Sequence, residues 1–217
     1  MSEEIKLVIA IPTAGSCVMG FAYSLAGMIS SISANGLPSR PEASLALKMD
    51  IVESSVIHTN REQLARRAID DGMTHLMFLD DDMIWEPQIL DIMFGRRQSI
   101  VSTNYLIKTD PACNAEFVAV GLNGKRVPTT EKSKGLVPIA YTGFGVSLFE
   151  VEVFKRTPQP WFLPKFMPES NSYTTEDNPF YERAREAGFK VYLDQDASKL
   201  VSHLGRKAWN WSEVKNG

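Results

Sequence analysis

The stretch "THLMFLDDDMIW", residues 74–85, sets three carboxylates directly after an apolar run. Leu76 to Leu79 reads as a short buried strand, because a continuous apolar run of about four residues is too short for a helix. Side chains alternate along a strand, so Asp80 and Asp82 are expected on one side and Asp81 on the other. Like charges crowded against a low-dielectric interior raise one another's pKa or call for a cation. Hard oxygen ligands of this kind suit Mg²⁺ or Mn²⁺, which keep positions open for water and for nucleotide phosphates. The plainer reading is a solvated acidic turn before a helix opened by Glu86 and Pro87.

On either side of this stretch, strand patterns alternate with helix patterns. "IKLVIAIPT" (5–13) is an apolar, β-branched run closed by Pro12 and Thr13. A weakly periodic helix is predicted over 17–34, stopped by the Gly and Pro of "NGLPSRP", and a strand over 46–54. "HTNREQLARRAIDDG" (58–72) predicts a helix with capping-box spacing at Thr59/Glu62 or Asn60/Gln63, an apolar stripe of Leu64, Ala65, Ala68 and Ile69, and a stop at Gly72. A helix near 87–95 and a strand near 99–105 follow. Residues 106–140 read as mixed loop and hairpin, 141–156 as a strand leading into a short helix, and the Pro-rich 157–168 as an irregular loop. This order predicts a three-layer α/β/α sandwich around a mainly parallel sheet, in a single domain over 1–217. Within it, 1–105 makes one half of the chain and 106–217 the other.

Composition sets broad limits. The 217 residues carry 44% hydrophobic and 23% charged side chains, an ordinary globular balance. No run approaches the 18 or so apolar residues of a membrane span, and the acidic start "MSEEIKLVIAIPT" lacks signal-peptide character, so a cytoplasmic protein is expected. Cys17 and Cys113 form no CxxC pair and are expected as thiols. A net charge of −3 gives no general attraction to nucleic acid. Lys125, Arg126, Lys132 and Lys134 make a local basic patch, for which surface solvation is the default explanation.

Near the C-terminus, "TTEDNPFYERAREAGFKVYLDQD" predicts a helix capped by Asn178, with Pro179 at its first position and Gly188 at its end, followed by a strand over 189–194. Glu176 and Asp177 then precede a helix N-terminus, where negative charge is stabilised in any case. His203 in "VSHLG" is, on its own, a lone histidine with a structural explanation.

Taken in order, "IAIPT", "FLDDDM", "TGFGVSLF", "TEDNPFYERAREAGF" and "SHLG" resemble GT-A-fold glycosyltransferases, especially short family-2-like enzymes of phages and bacteria. The resemblance spans roughly 5–205. It implies a nucleotide-sugar site at Pro12, Thr13, Asn60, Arg61, Asp80 and Asp81, with Gly143, Phe144 and Gly145 beneath the donor sugar. It implies a DxD pair at Asp80 and Asp82, which with His203 would hold Mn²⁺ or Mg²⁺. Asp177, beside Glu176, is implied as the general base of an inverting transfer. The donor implied is a nucleotide-diphosphate sugar, with UDP favoured. The acceptor hydroxyl stays open between a glycan, a small molecule, a protein side chain and a modified base in phage DNA. Trp209 and Trp211 are candidates for stacking on donor or acceptor, and core packing explains them equally well. No Q(Q/R)xRW-like helix is found, so processive polymer synthesis is not expected.

Two rival classes stand beside this reading. "LMFLDDDMI" also fits the start of a haloacid-dehalogenase-like phosphohydrolase with Asp80 as nucleophile, although no convincing downstream Asp pair follows. A non-catalytic nucleotide-sugar or glycan binder on the same fold is the other.

Overall fold

A computed structural model describes residues 3–108 and 116–205, with the backbone of 208 and 209. The chain runs β1 (Glu4–Thr13), α1 (Met19–Asn35), β2 (Ser44–Glu53), α2 (Ile57–Asp70), β3 (His75–Leu79), β4 (Met83–Trp85), α3 (Ile89–Gly95) and β5 (Ile100–Ser102). Then come β6 (Val120–Gly121), β7 (Leu136–Tyr141), β8 (Val146–Glu150), α4 (Val151–Arg156), β9 (Phe166–Met167), β10 (Ser172–Tyr173) and α5 (Asp177–Glu186). The described elements close with β11 (Tyr192–Asp194), α6 (Gln195–Ser198), β12 (Val201–Leu204) and β13 (Ala208–Trp209).

Eight strands form one mixed sheet in the order β2-β1-β3-β8-β5-β11-β7-β6. The pairings β1–β2, β1–β3 and β5–β11 are parallel, and β8 and β7 run antiparallel to their neighbours. The expected α/β fold is therefore present, with two strands reversed within a sheet that otherwise runs one way. β8, from the second half of the chain, is inserted between β3 and β5 of the first, so both halves share one sheet.

Strand alternation distributes the core to both faces. Leu7, Ile9, Met77 and Leu79 pack with α1, α3 and α6, whereas Val8, Ala10, Leu76 and Phe78 pack with α2, α4 and α5. The second face is densely aromatic: Phe78, Phe144, Phe149, Phe154, Trp161, Phe162, Phe180 and Tyr181 are all buried. Each such side chain contributes roughly 1.5–3 kcal/mol of burial. Trp161 and Phe162 come from the Pro-rich loop, which is irregular in backbone yet fills this core.

Local signals fare unevenly. The stripe on α2 is buried as predicted, with Leu64, Ala65 and Ala68 inside, and Gly72 ends the helix region at φ +65°. The capping boxes do not form. α2 begins at Ile57 without a side-chain cap, Glu62 instead accepts from the N–H groups of Trp161 (3.0 Å) and Phe162 (3.4 Å), and Asn60 turns to β1. α5 begins at Asp177, not after Asn178, and again has no side-chain cap. The strand expected over 99–105 shortens to β5, the strand expected from 141 begins only at Val146 as β8 and leads into α4, and the stretch read as loop and hairpin ends in a further strand, β7.

Candidate functional site

The carboxyl ends of β1, β2 and β3 open onto a cavity of about 320 Å³ lined by Pro12, Thr13, Ala14, Ser54, Ser55, Ile57, Arg61, Asp80, Asp81, Asp82, Tyr105, Glu176 and His203. This is where α/β sheets usually bind ligands, because the strands stop there and the loops must splay apart. A larger cavity of about 610 Å³ lies between α1 and the β4–β12 pair, lined mostly by small and apolar side chains and away from these strand ends.

Registers between distant strands assemble the acidic loop. β3 ends at Leu79, opposite Val146 of β8, so the Asp80 N–H donates to the Gly145 carbonyl at 2.9 Å. The chain then turns, with Met83 N–H bonding Asp80 O at 3.1 Å. The predicted alternation does not extend into this turn, and all three aspartates line the cavity. Asp81 accepts from the Thr13 hydroxyl at 2.6 Å, tying the end of β1 to the loop. β12 pairs antiparallel with β4, His203 opposite Met83, which brings the imidazole to Asp82.

Asp80 and Asp82 meet different cations. Arg61 of α2, buried against Phe78 and Phe144, reaches Asp80 Oδ1 with Nη2 (2.8 Å) and Glu176 with Nε (3.1 Å). Asp82 Oδ2 is bonded by Lys108 Nζ and lies 3.5 Å from His203 Nε2. The other ring nitrogen of His203, Nδ1, lies 2.9 Å from the Leu106 carbonyl, and since a carbonyl only accepts, Nδ1 carries a proton.

These surroundings separate the carboxyl groups electrostatically. Burial raises the Asp80 carboxyl, with Asp82 and Glu176 adding to the rise and Arg61 opposing it. Burial also pushes Asp82 up, but the bonds from His203 and Lys108 outweigh it and hold the group at about 2. Asp177 is raised to about 6, chiefly by burial and further by Glu176, against the bonds from Thr175 and the Asn178 N–H. Burial, together with the negative charges of Asp80 and Asp177, keeps the Tyr105 phenol protonated well above its usual range.

No family model matches the chain, and no curated protein sequence matches it either. Solved structures do resemble it. A197 from STIV aligns over 98% of this chain and 95% of its own, with a TM-score of 0.57 at 17% identity. The catalytic domain of Drosophila beta1,4galactosyltransferase 7, solved in complex with xylobiose, aligns over 93% of this chain and 71% of its own, with a TM-score of 0.51 at 13% identity. The fold is GT-A-like. At such identities the likeness concerns the fold alone.

Within this GT-A-like frame, the cavity gathers eight of the residues singled out from the sequence: Pro12, Thr13, Arg61, Asp80, Asp81, Asp82, Glu176 and His203. Asn60 is elsewhere. Fully buried, it donates to the carbonyls of Thr13 (3.1 Å) and Ser54 (2.9 Å), so it fixes the ends of β1 and β2 from behind. Phe144 belongs to the aromatic core. Gly143 and Gly145 lie against the Tyr105 ring: a Cβ on Gly143 would collide with its hydroxyl, and one on Gly145 would stand 2.8 Å from its ring. Asp177 does not line the cavity but adjoins Glu176, which does.

Four contributors lacked a sequence signal. Tyr105 and Lys108 sit in the irregular chain after β5, and Ser54 and Ser55 follow β2 with no motif around them. Of the basic patch, Arg126 is engaged with the Val118 carbonyl (2.9 Å) and Glu116 (3.6 Å). Cys113 and Trp211 lie outside the described residues, and Trp209 is described only as the β13 partner of His203.

Asp82 and His203 are the residues that could hold a divalent ion, once the Lys108 ammonium leaves Asp82 Oδ2. Asp82 and His203 face one another, and the Leu106 carbonyl fixes the imidazole in the orientation that presents Nε2, as second-shell partners of metal-bound histidines do. Two protein ligands are enough for Mg²⁺ or Mn²⁺ when water and phosphate supply the rest. Among the described residues no three His, Cys, Asp or Glu side chains gather as a ready ion cage, and Asp80 is turned to Arg61 instead. No helix among them is long and apolar enough to cross a membrane.

Proposed function

We propose that the chain is a glycosyltransferase that moves a sugar from a nucleotide diphosphate to an acceptor hydroxyl. The observation that carries this reading is the Asp82–His203 pair at the strand ends of a GT-A-like fold. With Nδ1 held on the Leu106 carbonyl, Nε2 of His203 and Oδ2 of Asp82 converge at 3.5 Å on one position, where Lys108 now supplies the positive charge and a divalent ion would take its place.

Asp82 and His203 would hold Mn²⁺ or Mg²⁺, with Asp80 contributing through water, and the ion would neutralise the charge that develops on the departing diphosphate. Pro12, Thr13 and Asp81 form the wall against which the nucleotide lies, UDP being the favoured donor. Arg61 holds Glu176 at the cavity edge and with it the start of α5. Asp177 takes the proton of the acceptor hydroxyl as its oxygen attacks the anomeric carbon, and a single displacement of this kind inverts that centre. The acceptor is a hydroxyl of a glycan, a small molecule, a protein or a modified DNA base. The Arg61 bond on Asp80 argues against Asp80 as the free nucleophile of a phosphohydrolase.

Thermal-shift measurements with UDP-, GDP-, CDP- and dTDP-sugars, each with and without Mn²⁺, test the reading without an acceptor. A metal-dependent rise in Tm with one nucleotide class, lost in Asp82→Asn, is expected from ligand linkage. No rise with any nucleotide overturns it.

A further inference from the structure

β2 forms one edge of the eight-stranded sheet, and among the described residues no strand pairs with its outer side. Its ladder with β1 runs without a bulge from Glu4↔Ser44 to Thr13↔Glu53. The N–H groups of Ser44 and Ser54 donate toward the β1 side, to Glu3 and Thr13. Because backbone groups alternate in direction along a strand, Ala46, Lys48, Asp50 and Val52 also turn theirs toward β1. Leu45, Leu47, Met49 and Ile51 therefore present N–H and C=O outward.

Such an edge normally carries protection: short length, proline, a bulge or an outward charge. β2 has ten residues, no proline and no bulge. Its lysine, Lys48, points to the α2 face, where it is paired with Asp71 and Asp50. On the opposite face Leu47, Met49 and Ile51 are 38%, 48% and 52% exposed.

The order of residues makes this edge complementary to itself. We propose that its partner is a second copy of this chain, β2 pairing antiparallel with β2 and Met49 on the two-fold axis. Leu47 then faces Ile51 of the partner subunit and Lys48 faces the partner's Asp50, each relation repeated by symmetry. Moving the axis onto Lys48 or Asp50 would instead set two like charges opposite one another, so charge selects this register. The outward groups of Leu45 through Glu53 supply about ten ladder hydrogen bonds, and the two sheets become continuous.

Sedimentation velocity on the full chain tests the proposal. The wild type is expected at twice the monomer mass. Met49→Pro removes an N–H that the β1 ladder does not use, so it is expected to yield a monomer with an unchanged circular-dichroism spectrum. In a Cys17→Ser, Cys113→Ser background, Met49→Cys is expected to form a disulfide-linked dimer on oxidation, whereas Lys48→Cys is not. A wild type that stays monomeric at high concentration overturns the proposal, as does a Met49→Pro variant that remains dimeric. A dimer in which Met49→Cys fails to cross-link overturns the register.

Discussion

Arg61 Nη2 lies 2.8 Å from Asp80 Oδ1, and the side chain that makes this bond is only 3% exposed. The same guanidinium reaches Glu176 through Nε, so one buried cation joins α2, the acidic loop after β3 and the start of α5. Its Nη1 has no hydrogen-bond partner and is enclosed beside Phe78 and Phe144, whose rings lie 5.2 and 5.0 Å from the guanidinium carbon. Cation–π attraction offsets part of that unmet bond. The consequence is that the carboxylates of the acidic loop and of the residue before α5 share one fixed reference point.

Arg61→Met should therefore destabilise the fold by about 3 kcal/mol, since it strands two partly buried carboxylates without a cation. Arg61→Lys should recover only part of the loss, because an ammonium lacks the planar fork that serves both partners. Urea unfolding followed by circular dichroism measures both. Equal stability of Arg61→Met and wild type would show that the two carboxylates do not depend on this residue.

Asp82 gives a signed acid response. Its folded pKa, about 2, lies below its ordinary value near 4, so the stabilisation it brings is fully present above about 4 and is lost as the pH falls through about 2. Asp82→Asn should flatten the acid-denaturation curve in that window and leave the neutral-to-alkaline side of the curve unchanged in slope. An unchanged acid limb would mean that Lys108 and His203 do not hold the carboxyl as described.

Much of the fold was legible because burial writes directly into composition. The apolar runs of β1 and β3 and the stripe of Leu64, Ala65 and Ala68 each reflect a face that has to leave water. Reversed strands such as β8 were not legible, since an apolar run carries no direction. Capping boxes misled because Glu62 found better use on the N–H groups of Trp161 and Phe162, about a hundred residues away, than on its own helix. The site divides the same way. Asp80, Asp82 and His203 announced themselves by type and order, whereas Lys108 and Tyr105 reach the cavity only through tertiary packing that no local pattern encodes.

Tyr105 also makes a prediction that separates two neighbouring glycines. Gly143→Ala meets chiefly the Tyr105 hydroxyl, while Gly145→Ala meets the ring edge as well. Each should cost roughly 1–3 kcal/mol by overpacking. Tyr105→Phe removes the hydroxyl and should relieve Gly143→Ala substantially but Gly145→Ala only slightly. Thermal melts of the two double variants decide this, and equal rescue of both would contradict the packing around Tyr105.

Asp177 supplies the last test, one in which stability and activity move in opposite directions. Its folded pKa of about 6 exceeds the ordinary aspartate value near 4, so the folded state binds a proton more tightly than the unfolded chain does. Stability should consequently decline as the pH rises from about 4 to about 6, and Asp177→Asn should abolish that decline. If Asp177 is the base, turnover needs the ionised form and should rise across the same upper range, reaching half its plateau near about 6. Hydrolysis of the donor with water as acceptor provides the rate profile, and denaturant melts provide the stability profile. A rate that is flat through this range in the wild type, or retained in Asp177→Asn, would remove Asp177 from the chemistry while leaving its place at the head of α5 intact.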